Sequence, residues 1–316
     1  MAGQVTIFGG SGLVGRQIVR RLAQDGWRVR VAVRHPEQAL FLKLAGRVGQ
    51  VVLTHADIRD PESVRDALAE ADAAVNAVGI LHEGGGRTFA ALHATGAHII
   101  SEAATAAGCR NLVHISAIGA DKDAPATYAR SKAAGETAVA EAFAKAHILR
   151  PSLVAGADGG FFDRFAGLAA LAPALPLIGG GETRFQPVAV GDVAAAVAAC
   201  LADAPSGIYE IGGAKIYSFR QLMELICTVI ERPRLLVPVP FIFADALSQL
   251  TQYLPDPPLT PDQMLMLRHD NVVAPDARGL ESLGLTPTFI EAVLPDYLAR
   301  FRPYKTQSKA TPNTTR

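Results

Sequence analysis

The sequence predicts an α/β protein, a doubly wound parallel sheet carrying a smaller C-terminal lobe. Three observations carry that expectation. Short apolar runs alternate with helical periodicity from residue 4 to residue 149. The first apolar run ends in glycines that open directly into a helix. Beyond Pro151 prolines and glycines crowd together and strand signals thin out.

Residues 4–8 form an apolar run with the pattern of a buried parallel strand. In 13–24, Val14, Ile18 and Leu22 share one helical face while Arg16, Arg20 and Gln24 fall off it, and Gly26 ends the helix. Residues 29–33 read as the second strand, 36–45 as helical and 51–54 as the third strand. Asp60 as N-cap and Pro61 at the first helical position open a helix over 61–70. A fourth strand over 73–77 precedes a long helix, 88–108, closed by Gly108. The fifth strand is 112–115, followed by a helix over 128–144 and a strand over 146–149. Such alternation requires a parallel sheet with right-handed crossovers and helices on both faces. Further on, 188–190 and 209–211 are expected to return to the sheet, Asp192 to cap a helix over 193–201, and Ser218 to precede one over 220–230. The core is thus expected over 1–155 with 186–212 rejoining it, and the lobe from 156–185 and 213–316. The tail, 304–316, is polar and aperiodic and is expected to fray.

Composition narrows the function classes. Thirty basic and thirty acidic side chains balance, which argues against a nucleic-acid partner and against acidic disorder. Cys109, Cys200 and Cys227 are distant from one another and read as small buried hydrophobes of a reducing compartment rather than a disulfide framework or zinc site. His82, His93, His98 and His114 have no metal-ligand spacing and read as surface or packed histidines, so no metal is expected. The N-terminus lacks the build of a secretion signal. No run reaches the roughly 18 uncharged apolar residues of a membrane span. The expected location is the cytoplasm, with at most a peripheral attachment to the cytoplasmic face of the inner membrane.

The turn Gly9-Gly10-Ser11-Gly12-Leu13-Val14-Gly15 carries the first functional signal. Gly9 permits the tight turn, Gly12 lets backbone approach a pyrophosphate, and Gly15 lets helix pack closely on sheet. The helix N-terminus then offers free N–H groups and a positive dipole end to the anion. Placed between a strand and a helix, this is a dinucleotide site of the Rossmann type. The second strand ends in Val33-Arg34-His35. A carboxylate there would select NAD; Arg34 instead presents a fork suited to a 2′-phosphate, with Arg16 placed to assist, so the expected cofactor is NADP(H). Asp57-Ile58 after the third strand and Asn76-Ala77-Val78-Gly79 at the end of the fourth lie at the carboxyl edge, where the ligand crevice forms.

Tyr128 and Lys132 have Y-x-x-x-K spacing, which sets phenol and ammonium one helical turn apart on one face. The chemistry this suits is general acid–base work, with the cation lowering the tyrosine pKa. In the short-chain dehydrogenases, which this pattern resembles, the third member is a serine at the end of the fifth strand. Ser116 is the candidate, although Ala117 occupies the reactive position in another register.

These motifs, with Arg150-Pro151-Ser152 and residues 185–193, resemble the extended and atypical short-chain dehydrogenases over residues 4–230. The stretches 258–263, 267–273, 283–288 and 293–298 are similar to the short-chain-dehydrogenase-like accessory subunit of respiratory complex I, the alpha-subcomplex subunit nine family. That resemblance implies a tightly held NADPH contacted by Gly9, Gly12, Gly15, Arg34, Asp57, Tyr128 and Lys132. Ser11, Leu13, Val14, Arg16, His35, Ile58, Ala77, Val78, Gly79 and Pro151 complete the expected cofactor contacts, and Lys132 is expected to reach the nicotinamide ribose. It also implies a structural place near the quinone site, with complex I subunits as partners. The rival expectation is a freestanding NADPH-dependent reductase or epimerase with Tyr128 as proton donor; a third is a redox-sensing regulator. An apolar stripe, Phe241-Ile242-Phe243-Ala244 with Leu247, Leu250 and Leu254, is suited either to covering the substrate cleft or to docking on a partner or membrane interface.

Overall fold

The computed structural model describes residues 3–157, 159–252 and 259–303. Strands β1 (Gln4–Phe8), β2 (Arg28–Val33), β3 (Val51–His55), β4 (Ala73–Asn76), β5 (Asn111–Ile115) and β6 (His147–Pro151) alternate with helices α1 (Leu13–Gln24), α2 (Pro61–Ala67), α3 (Gly96–Ala106) and α4 (Thr127–Ala142). After β7 (Val154–Ala155) come α5 (Phe161–Leu171), β8 (Ala174–Ile178), β9 (Arg184–Phe185), β10 (Val188–Ala189), α6 (Val190–Ala202) and β11 (Gly207–Ile211). The chain continues through β12 (Tyr217–Ser218), α7 (Phe219–Val229), β13 (Leu235–Val239), α8 (Phe241–Thr251), α9 (Pro261–Met266) and α10 (Ile290–Tyr297).

The main sheet has seven strands in the order β11-β6-β5-β4-β1-β2-β3. All its pairings are parallel. Strand alternation sorts side chains to its two faces. Val5 and Ile7 join Ile18, Leu22, Val193 and Val197 under α1 and α6. Phe8 goes to the other face with Val64, Leu68, Ile100 and Val139. Each such fully buried side chain stabilises the fold by about 1.5–3 kcal/mol. The lobe has its own core, in which Phe162, Phe185 and Phe219 pack with Leu222, Ile226 and Leu294.

Several expected elements differ in a physically informative way. Residues 188–190 do not return to the main sheet: Val188 and Ala189 pair instead with Val154 and Ala155 in a separate two-stranded ladder. Only β11 rejoins, at the edge beside β6. Asp192 is not a cap. The helix begins at Val190 after Ala189, and the Asp192 carboxylate accepts the Thr288 N–H at 2.7 Å and its hydroxyl at 2.8 Å. The 36–45 segment is a 3-10 helix, and α2 ends at Ala67, with Glu70 in the left-handed region at φ 60°. The long helix expected over 88–108 is broken by a π-helical turn, Ala90–Thr95. Gly108 closes α3 as expected, with φ 71°. Ser218 forms a reciprocal capping box with Gln221 at the start of α7.

Most of the apolar stripe of α8 faces outward, while Phe241 and Ala244 pack against Ile178 and Met264. Ile242, Phe243, Leu247 and Leu250 are 76, 67, 54 and 78% exposed, while Ala244 and Ser248 face inward; Leu254 lies outside the described residues. The tail 304–316, expected to fray, and Pro258 also lie outside them. No helix among the described residues is long and apolar enough to cross a membrane.

Candidate nucleotide site

The glycine turn runs from β1 into α1 at the carboxyl edge of the sheet. Gly9 has φ 76°, and a Cβ there would lie 2.8 Å from the backbone of Ala77. A Cβ on Gly15 would lie 2.1 Å from the Gly9 carbonyl oxygen. Both positions therefore admit only glycine, because any side chain would meet rigid backbone. Gly12 is the extended N-cap of α1, whose first turn holds no acidic residue to compete with an anion. Arg16 folds back over the turn, its guanidinium 3.3 Å from the Gly12 carbonyl, 3.4 Å from that of Ser11 and stacked on Phe41. Leu13 points toward Gly156 and Gly160, tying the turn to the start of the lobe.

Arg34 and His35 are exposed at the end of β2. The first carboxylate downstream, Glu37, lies 3.4 Å from the His35 ring. Asp57 lies beyond the end of β3 with its carboxylate gripped by Arg59 through contacts of 2.6–3.2 Å. The Arg59 hydrogen bond holds the Asp57 pKa down at about 2, with the Arg34 charge adding to the effect. Ile58 is buried against Gly96. Ala77 continues the β4 ladder through its N–H to the Phe8 carbonyl, which lays Ala77, Val78 and Gly79 beside the glycine turn. Pro151 closes β6, its carbonyl accepting the Ile118 N–H.

The structure brings Tyr128 and Lys132 together on the inner face of α4, both buried. The Lys132 ammonium lies 6.0 Å from the Tyr128 ring and donates to the Ile115 carbonyl at 3.1 Å. Burial lowers the Lys132 pKa to about 8, against an opposing pull from Glu136. Burial raises Tyr128 to about 12, opposite in direction to the lowering expected from the neighbouring cation. The phenol is thus held as a proton donor at neutral pH.

Ser116 follows Ile115, whose carbonyl accepts from Lys132, but its hydroxyl is engaged elsewhere. Its buried hydroxyl donates to Glu136 at 2.5 Å. Glu136 in turn accepts two hydrogen bonds from Arg150, at 2.8 and 2.6 Å, and Arg150 lies 3.6 Å from Glu210. The hydroxyl is committed to a charged network linking α4, β6 and β11.

Sequence reasoning missed several residues that build this region. Asn76, already placed at the crevice by the sequence, accepts the Val78 N–H through its side-chain oxygen and donates to His114, whose part was not foreseen. His93, placed inward by the π turn, accepts the Ile80 N–H. Asp262, the second residue of α9, accepts the backbone N–H groups of Thr127 and Tyr128. Asn271 accepts the Ser152 hydroxyl and reaches the Ile118 carbonyl, latching the lobe to the ends of β5 and β6. The signal for the last two lay in the stretches 258–263 and 267–273, whose partners are remote in sequence.

Comparison with known proteins decides the family. Residues 5–212 match the NAD dependent epimerase/dehydratase family. The chain belongs to that family. The family match and the fold support binding of a nucleotide cofactor. The chain is 32% identical over 311 residues to the mitochondrial NADH dehydrogenase (ubiquinone) 1 alpha subcomplex subunit 9 of Arabidopsis thaliana, covering 94% of this chain and 77% of the plant protein. This bears out the resemblance carried by the C-terminal stretches. Ceramide reductase of Caulobacter vibrioides is also 32% identical, over 263 residues, covering 79% of this chain and 80% of the reductase. Among solved structures, the Bordetella bronchiseptica enzyme WbmG in complex with NAD superposes with a TM-score of 0.70 at 14% identity, covering 95% of this chain and 94% of that one. This epimerase/dehydratase family member therefore shares its fold along nearly its whole length.

Proposed function

We propose that this chain is an NADP(H)-binding accessory subunit or assembly factor of a respiratory NADH–quinone oxidoreductase, attached peripherally at the cytoplasmic face of the membrane. The observation that carries the reading is the likeness to the plant complex I subunit, which spans the C-terminal lobe as well as the nucleotide core. Two features are consistent with it. Asp262 and Asn271 make the lobe part of the nucleotide site's scaffold, so bound cofactor stabilises the docked lobe by mass action. The outward apolar face of α8 suits contact with another subunit.

The preference for NADP(H) rests on Arg34 at the end of β2 and on Glu37 being turned to His35. A nicotinamide dinucleotide bound here supplies hydride chemistry. The chain's own part is to cradle the pyrophosphate at the α1 N-terminus, receive the ribose beside Lys132 and hold the Tyr128 proton. A second reading, an NADPH-dependent reductase, is favoured by the Tyr128/Lys132 pair and by the reductase relative. The engagement of Ser116 by Glu136 counts against it.

The test is affinity isolation of the tagged chain from gently solubilised membranes of its host, with co-purifying proteins identified by mass spectrometry. Complex I subunits in fixed proportion are the expected result. Recovery of the chain alone, loaded with NADP(H), overturns the subunit reading and favours the reductase.

A further inference from the structure

The loop after β4 is held from two sides. On one side of Gly79, the Val78 N–H donates to the Asn76 side chain at 3.1 Å. On the other, the Ile80 N–H donates to His93 Nε2 at 3.0 Å. His93 is 1% exposed, and its second ring nitrogen, Nδ1, lies 2.9 Å from the Ser131 hydroxyl. That hydroxyl donates onward to the Tyr128 carbonyl at 2.7 Å. The direction of each bond follows. Nε2 must offer a lone pair to Ile80, so Nδ1 carries the proton and gives it to Ser131. The imidazole is a two-ended strut between the loop and the helix that bears Tyr128 and Lys132.

Its surroundings fix the ring. Phe89 stacks on it at 5.4 Å, and Tyr128 meets it edge-on at 5.5 Å. The π-helical turn supplies the placement, because one added residue per turn rotates His93 toward the sheet. Gly135 supplies the room, since a Cβ there would lie 2.2 Å from the His93 carbonyl oxygen. The strut acts where the loop passes Lys132: a Cβ on Gly79 would lie 3.5 Å from the ammonium nitrogen.

We propose that His93 is a positioning residue that sets the nicotinamide-proximal half of the dinucleotide site by bracing the Gly79–Ile80 loop against Ser131 of α4. The inference rests on the nucleotide-binding reading above and concerns only the half of the ligand beside Lys132. The adenosine half, contacted at the ends of β2 and β3, lies outside its reach.

The experiment compares two ligands on the purified full chain by calorimetric titration: NADPH, and adenosine 2′,5′-bisphosphate, which lacks the nicotinamide and the ribose attached to it. His93→Leu is expected to weaken NADPH about ten-fold, the effect of losing about two hydrogen bonds, and to leave the fragment within about two-fold. His93→Gln, which keeps one acceptor and one donor, is expected to recover most of the loss. Ser131→Ala removes the far end of the strut and is expected to show the same selective pattern should His93→Leu fail to fold. Equal weakening of both ligands makes His93 a general packing residue and overturns the proposal, as does no change in either. A wild-type chain that binds neither ligand sinks the nucleotide reading itself, and the strut's role with it.

Discussion

Asp262 and Tyr128 are separated by 134 positions in the chain, yet a carboxylate oxygen of the first accepts the backbone N–H of the second at 2.9 Å. The other oxygen accepts the Thr127 N–H at 2.6 Å. Helix α4 begins after Ala126, a residue with no side chain to cap it, so its first amides are satisfied from the C-terminal lobe. A capping box between Thr260 and Gln263 sets the start of α9 and with it the reach of Asp262. Asp262→Ala is expected to cost about 0.5–2 kcal/mol, the range for loss of a helix cap. Denaturant unfolding measures that loss. Amide exchange should speed up at Thr127 and Tyr128 before it does elsewhere in α4; uniform exchange along the helix would contradict the capping role.

Gly135→Ala sets two effects against each other. Alanine favours a helix interior by about 1 kcal/mol over glycine. Its Cβ, however, would stand 2.2 Å from the His93 carbonyl oxygen, a backbone atom that cannot swing aside. Overpacking of this kind costs about 1–3 kcal/mol, so the variant should be net destabilised. A rise in melting temperature would show that α4 shifts freely at this point.

Arg34→Glu should reverse the dinucleotide preference. A charge-assisted hydrogen bond to the 2′-phosphate contributes about 1.5–3 kcal/mol, so NADPH affinity should fall roughly ten-fold or more while NADH affinity is retained or improved. The ratio of the two dissociation constants is the readout. An unchanged ratio removes Arg34 from the 2′-phosphate.

Acid should destabilise the chain from near-neutral pH downward. Burial holds both His93 and His114 at about 3 in the fold, against an ordinary 6.5. Between those values the unfolded chain takes up two protons that the native chain does not. Stability therefore falls as pH drops from about 6.5 toward 3, with a slope of up to about 1.4 kcal/mol per pH unit for each histidine. Unfolding midpoints measured from pH 7 to pH 4 test the slope, and His93→Gln should reduce it by about half. A flat profile over that range would mean that neither ring is buried as neutral imidazole.

Charged substitutions on α8, such as Phe243→Glu with Leu247→Glu, should leave the chain's own stability within about 0.5 kcal/mol because these side chains face outward. The same substitutions should abolish co-isolation with complex I subunits. A large loss of stability would mean that the face is covered within the chain.

The sequence is readable where structure is local. The glycine turn and α1 follow from the spacing of Gly9, Gly12 and Gly15 and from a 3.6-residue apolar stripe, and the structure places them within the expected bounds. The Tyr128/Lys132 pair needs only one helical turn. Asp262 was not readable in the same way, because a cap supplied from a distant element leaves no mark beside the helix it caps. His93 was hidden by the π turn, since periodicity assumes 3.6 residues per turn and a π insertion moves every later side chain to another face. Val188 looked like a sheet strand because β-branched composition does not identify the partner, and here the partner is Val154. For α8, periodicity gave an apolar face but not its direction. A stripe facing a core and one facing outward have the same spacing.

The Asp262 contact constrains how this protein can change over time. Two segments usually treated as separable modules share one helix terminus. A lobe exchanged with that of a distant relative would leave α4 uncapped unless it brought its own carboxylate to the same point. A change that moves the start of α9 is thereby felt at the first turn of the helix that carries Tyr128 and Lys132.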